Sequence, residues 1–126
     1  MNIFSFSGRL AAAPNLQRHG DTTVCRFRLL RNEYAGKDKQ SNANMERTVG
    51  INFTAFGRKA ESISEHCREG DQLIVAARVE DNSFEKDGVT HYSYNFIIDE
   101  FEFGAPGALK RQQLEQQRRT EPNGSY

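Results

Sequence analysis

Apolar and polar positions alternate strictly along residues 49–56. Val49, Ile51, Phe53 and Ala55 share one parity, and Gly50, Asn52, Thr54 and Phe56 share the other. A period of two predicts a strand with one face on a core. It leaves Phe56 as a large ring on the face that meets water. An apolar ring in that place suits a flat, stackable ligand such as a nucleic-acid base. The chain then passes through Phe56-Gly57 into a predicted helix over Arg58–Cys67, with Ala60, Ile63 and Cys67 at helical spacing and Gly70 beyond its end.

Period-two patterns recur on both sides of this segment. Ile3–Leu10 places Phe4, Phe6, Gly8 and Leu10 opposite Ser5, Ser7 and Arg9, and Gly8 in mid-strand suggests a bulge or bend. Ala11–Asp21, with Pro14-Asn15 and Gly20-Asp21, reads as a loop. A second strand covers about Thr22–Tyr34, with Cys25, Phe27 and Leu29 inward, Arg26, Arg28, Asn32 and Tyr34 outward, and Leu30 breaking the alternation. The polar, aperiodic stretch Ala35–Glu46 reads as a mobile loop. Gln72–Val79 and Thr90–Phe103 are two more strands, separated by Asn82–Gly88 with its Asp87-Gly88 turn signal.

Five strands with one helix between the third and fourth predict an all-β OB-fold, a five-stranded Greek-key barrel. Periodicity alone also allows another small barrel. After the breaker Gly104-Ala105-Pro106-Gly107, the remainder is rich in Gln and Arg. The predicted organisation is a barrel domain over 1–104 and a polar tail over 105–126, either a short exposed helix or disordered.

Composition narrows the function classes. The 126 residues carry no net charge, yet residues 22–59 hold eight bases and three acids, and residues 60–104 hold three bases and eleven acids. The balances are +5 and −8, so a polyanion should bind the first half. Cys25 and Cys67 lack framework spacing and are expected as free thiols in a reducing compartment. The start is not that of a signal peptide, and no apolar run is long enough to span a bilayer. A cytoplasmic, membrane-free protein is expected.

Catalytic signatures are missing. No phosphate loop, HExxH or G-x-S-x-G motif occurs, and His19, His66 and His91 are scattered. Asp99, Glu100 and Glu102 read as a solvated strand end. No catalytic residue, metal site or cofactor is expected. A binding surface remains, with Arg26, Arg28 and Tyr34 on one strand and Asn52, Thr54 and Phe56 on the next. Cations attract phosphates and rings accept any base. Equally, the rings could cover core ends and the arginines form a solvated face.

Three blocks bear on this choice: N-x-x-x-x-x-G-R-L at Asn2–Leu10, F-R-L from Phe27, and F-G-R-K-A-E-x-x-x-E-x-x-x-x-G-D from Phe56 to Asp71. Over residues 1–104 the chain resembles the bacterial single-stranded DNA-binding protein family. The resemblance implies an OB-fold, a homotetramer built as a dimer of dimers, and single-stranded DNA as the partner during replication, recombination and repair. It implies base stacking on Tyr34, on Phe56 and on Phe84 of the N-S-F-E-K-D-G hairpin. A further aromatic position of the family falls near Gly50, where this chain has no ring, and Trp is absent throughout.

With fewer and smaller rings, binding should be weaker and lean on the phosphate-facing cations Arg26, Arg28, Lys37, Lys39, Arg47, Arg58 and Lys59. The family usually ends in an acidic, apolar tip that recruits repair enzymes. Here the end is Glu121-Pro122-Asn123-Gly124-Ser125-Tyr126 after a basic run, so no such recruitment is expected. A specialised form serving a plasmid or other mobile element fits that ending. The rival reading is an OB-fold used as a protein–protein assembly module with little nucleic-acid binding.

Overall fold

The computed structural model describes residues 1–120. Residues 121–126, on which the expectation of a missing acidic tip rests, lie outside the described residues. Ten elements follow one another: β1 (Phe4–Leu10), β2 (Asn15–His19), β3 (Thr22–Lys37), β4 (Asn44–Phe56), α1 (Arg58–His66), β5 (Gln72–Asp81), β6 (Phe84–Lys86), β7 (Val89–His91), β8 (Tyr94–Phe103) and α2 (Ala108–Thr120). Strands β1, β3, β4, β5 and β8, with α1 between β4 and β5, make the predicted OB-fold.

The sheet order is β1-β5-β8-β4-β3-β2, and an additional β1–β3 pairing at Arg9↔Leu30 and Leu10↔Leu29 closes it on itself. Closure on the other side is a short parallel contact of β4 with β8, at Thr54↔Ile97. Inward residues alternate as the sequence pattern requires. Cys25, Phe27 and Leu29 of β3 and Phe53 and Ala55 of β4 are buried, together with Leu73, Val75 and Ala77 of β5. Phe53 is the aromatic centre, with Phe27 stacked at 5.7 Å and Phe4, Phe6 and Phe96 within 6.3 Å, the spacing at which ring pairs attract. Ala60 and Ile63 seat α1 on this core. Cys25 and Cys67 are free and buried, and burial pushes the Cys25 thiol up to about 11.

Positive φ at Gly57 explains the Phe56-Gly57 junction. Its φ of 65° turns the chain from strand to helix, and its N–H donates to the Thr23 carbonyl at 2.9 Å. Gly8 has a different reason from the one expected. Pairing of β1 with β5 runs unbroken from Phe4 to Arg9, so there is no bulge. A Cβ at Gly8 would instead lie 2.7 Å from the Leu30 carbonyl oxygen. The glycine permits close approach at the seam of the barrel.

Two expected loops are strands. Within Ala11–Asp21, Asn15–His19 pairs with β3 through a hairpin at Gly20-Asp21. All five of its residues are exposed, so it carries no burial pattern to read. Half of the supposed mobile loop Ala35–Glu46, residues 35–37 and 44–46, continues β3 and β4, which project as a ribbon with an irregularity between Tyr34 and Gly36. At its tip the Asp38 carboxylate accepts from the Gln40 N–H at 3.1 Å and the Ser41 hydroxyl at 2.9 Å. These bonds hold the carboxyl below its usual range. Thr90–Phe103 is also not one strand. It breaks at Tyr92-Ser93, and its first part pairs with β6 across Asp87-Gly88, both at positive φ. The segment after the barrel forms α2, the helical alternative.

Candidate nucleic-acid interface

Register between β3 and β4 builds the site. Arg26 lies opposite Thr54, and Arg28 opposite Asn52. These four residues line an open groove of about 540 Å³ with Asn15 from β2, and with Tyr94 and Asn95 from the start of β8. Sequence reasoning missed Asn15, Tyr94 and Asn95. An exposed aromatic in the T-H-Y-S-Y-N stretch was the available signal for Tyr94, a residue 56% exposed.

Among the described residues, neither Arg26 nor Arg28 has a carboxylate at ion-pair distance, whereas Arg18, Arg47 and Arg78 each do. No carboxylate among the described residues therefore neutralises the groove cations. Arg28 donates through Nη1 to Asn52 Oδ1 at 3.1 Å.

The expected stacking rings do not converge on one point. Phe56 stands in register with Val24, and Tyr34 with Glu46. That is ten residue rows, about 33 Å of strand at ~3.3 Å per residue. They bracket the groove as two ends of a track, and the ribbon tip lies beyond Tyr34. Both are well exposed, Tyr34 at 62% and Phe56 at 44%. Phe84 sits apart on the β6–β7 hairpin, stacked on His91 with centroids 5.0 Å apart and planes 16° from parallel. One face of its ring is thereby taken.

The predicted cations divide more sharply. Lys37 and Lys39 are at the ribbon tip, and Arg58 opens α1 directly after Phe56-Gly57. Arg47 stands opposite Glu33, 3.9 Å from its carboxylate, on the parity that does not carry Tyr34. Lys59 lines a different depression with Asp99, Glu100 and Glu102 on the β5–β8 side, sharing no residue with the groove. The other charged residues lining that depression are all acidic.

Other parts of the sequence pattern serve the barrel. The Asn2 side chain accepts from the Val79 N–H at 3.0 Å and donates to its carbonyl at 2.8 Å. Arg9 donates to the Gly70 carbonyl at 2.9 Å. Buried Asp71 accepts from the Arg68 N–H at 2.8 Å and the Gly107 N–H at 2.7 Å. No group of three or more His, Cys, Asp or Glu side chains among the described residues could hold a metal ion, and no described helix is long and apolar enough to cross a membrane.

A closed five-stranded barrel with an unneutralised cationic groove between exposed rings defines an OB-fold protein with an open, ring-flanked sheet face. The chain belongs to the single-strand binding protein family, whose pattern it matches over residues 1–104. It is 30% identical over 104 residues to the single-stranded DNA-binding protein of Fusobacterium nucleatum, covering 82% of this chain and 67% of that protein. It is 30% identical over 96 residues to single-stranded DNA-binding protein 2 of Streptococcus agalactiae serotype III, covering 75% and 70%. In fold it is similar to the Plasmodium falciparum SSB solved in complex with ssDNA, with a TM-score of 0.67, 17% identity, and coverage of 82% of this chain and 95% of that one. The small single-stranded DNA-binding protein of Streptomyces coelicolor gives 0.64 at 20% identity, with coverage of 81% and 93%.

Proposed function

We propose that the protein binds single-stranded DNA with little sequence preference and protects it during replication, recombination or repair. The observation that carries this reading is the groove of Arg26 and Arg28, free of internal carboxylates and bracketed by exposed Phe56 and Tyr34. A groove of that charge draws in a polyanionic strand, and rings of that exposure accept bases of any identity. Phe84 and Tyr94 add stacking surface. Arg26, Lys37, Lys39 and Arg58 supply the phosphate contacts nearest the track. Lys59, among acids, and Arg47, beside Glu33, contribute least. Residues 1–104 act as the DNA-binding domain and 105–126 as an appended tail. Binding, with no catalytic step, is the activity.

The family assignment supports a homo-oligomer, with a tetramer the form the resemblance implies, working in the cytoplasm. Exposed Ile74 and Phe103, with half-buried Phe101, supply apolar surface on β5 and β8 away from the groove.

Phe56→Ala and Tyr34→Ala, measured by anisotropy on a labelled dT oligonucleotide beside oligomer mass, test the reading. Each should weaken binding about tenfold, within the ~1–3 kcal/mol of one stacked base, at unchanged mass. Undiminished binding in both variants sinks the stacking role. A wild-type chain that assembles but ignores the oligonucleotide favours the protein–protein module.

A further inference from the structure

We infer that the Arg28 guanidinium is a nucleobase-stacking surface in the groove rather than a phosphate ligand. The inference rests on the single-stranded DNA reading above and assigns a contact within it. Its starting point is Gly50. A glycine inside a strand weakens it and has no ring or branch to pack, so it needs a local cause. Backbone conformation is not the cause, because Gly50 is absent from the positive-φ glycines.

The cause is Arg28. A Cβ at Gly50 would meet three consecutive atoms of the Arg28 fork, namely Nη2, Cζ at 2.6 Å and Nε at 2.7 Å. Similar distances to three fork atoms mean that the guanidinium lies across the Gly50 backbone rather than touching it with one tip. The register explains how. Arg28 faces Asn52, and Gly50 is the next residue of β4 on the same face. The bond from Nη1 to Asn52 Oδ1, at 3.1 Å, then fixes the fork's rotation.

A guanidinium in this position differs from one reaching for phosphate. Phosphate is gripped by the edge of the fork, through paired N–H donors. Part of that edge is already engaged by Asn52. The plane, in contrast, rests on peptide below, and the residue is exposed to the groove above. Guanidinium planes stack on bases, combining a flat contact with a cation–π term. Tyr94 lines the same groove and offers an aromatic ring as a second flat surface to a base held there.

Arg28→Lys keeps the charge and removes the plane. Gly50→Ala keeps every charge and pushes the flexible fork off its seat. The full chain and each variant would be titrated with a labelled dT oligonucleotide and with an abasic strand of equal length, across a range of salt. Both variants should lose about tenfold on dT, keep the wild-type salt slope, and match wild type on the abasic strand. Equal loss on both strands, or no loss on dT in either variant, overturns the assignment. Thermal unfolding of each variant shows whether it is folded. Failure of the wild-type chain to bind dT at all would instead remove the parent reading, so the two failures are distinguishable.

Discussion

The seam of the barrel and the outer face of β3–β4 both carry residues of the family pattern, and they use them in opposite ways. At the seam, Gly8, Arg9 and Asp71 are committed to backbone, as Asn2 is at the other end of β1. Asn2 brackets Val79, Arg9 reaches Gly70, Asp71 ties Arg68 to Gly107, and Gly8 makes room for the Leu30 carbonyl. On the face, Arg26, Tyr34 and Phe56 are exposed and unneutralised. A shared sequence pattern can thus mark a structural fastening in one place and a ligand surface in another. Only the partners of each side chain separate the two.

Substitutions should divide along the same line. Phe53→Ala, at the centre of the aromatic core, should cost about 3–5 kcal/mol of stability in urea unfolding. Asp71→Ala comes next. It strands two N–H groups at a position only 3% exposed, for about 2–3 kcal/mol, with DNA affinity of the folded fraction unchanged. On the face the signature reverses. Phe56→Ala and Tyr34→Ala should weaken dT binding about tenfold while the unfolding free energy stays within about 0.5 kcal/mol of wild type. Seam variants that lose affinity without losing stability would break the comparison.

The smallest effect is at the ribbon tip. Asp38 is held below its ordinary range first by the Gln40 N–H and then by the Ser41 hydroxyl. A lowered folded value means that this anchoring is complete above the ordinary carboxyl range and is lost as pH falls through the lowered value. The Gln40 amide resonance should therefore titrate on acidification, with the barrel resonances still. A Gln40 signal constant down to the acid limit would show that the carboxylate does not anchor the tip.

What could be read from the chain follows from burial. Residues 25–29 and 51–55 alternate because one side of each strand meets the core, so their register was legible. Strand β2 has all five residues exposed, and the ribbon projects beyond the barrel with both faces wet. Neither leaves a period to detect, and their backbone pairing has no signature in side-chain hydropathy. Tyr94 was hidden by the break at Tyr92-Ser93, across which a three-residue strand and a ten-residue strand read as one pattern. Gly50 was visible as a missing ring, but its occupant was not. Placing Arg28 over it requires the Arg28↔Asn52 register, a long-range fact. The cations were legible as a surplus of charge, although charge counting alone could not separate Arg26 in the groove from Lys59 among acids.

The central claim is that this face holds single strands by stacking together with phosphate contact. It is tested most directly by the affinity of the full chain for a dT oligonucleotide across salt, with a duplex of equal length alongside. The account predicts tighter binding to the single strand and a log–log slope of about −2 to −4 per protomer, at ~0.7 per neutralised phosphate. A flat salt dependence, or equal affinity for duplex and single strand, would contradict it.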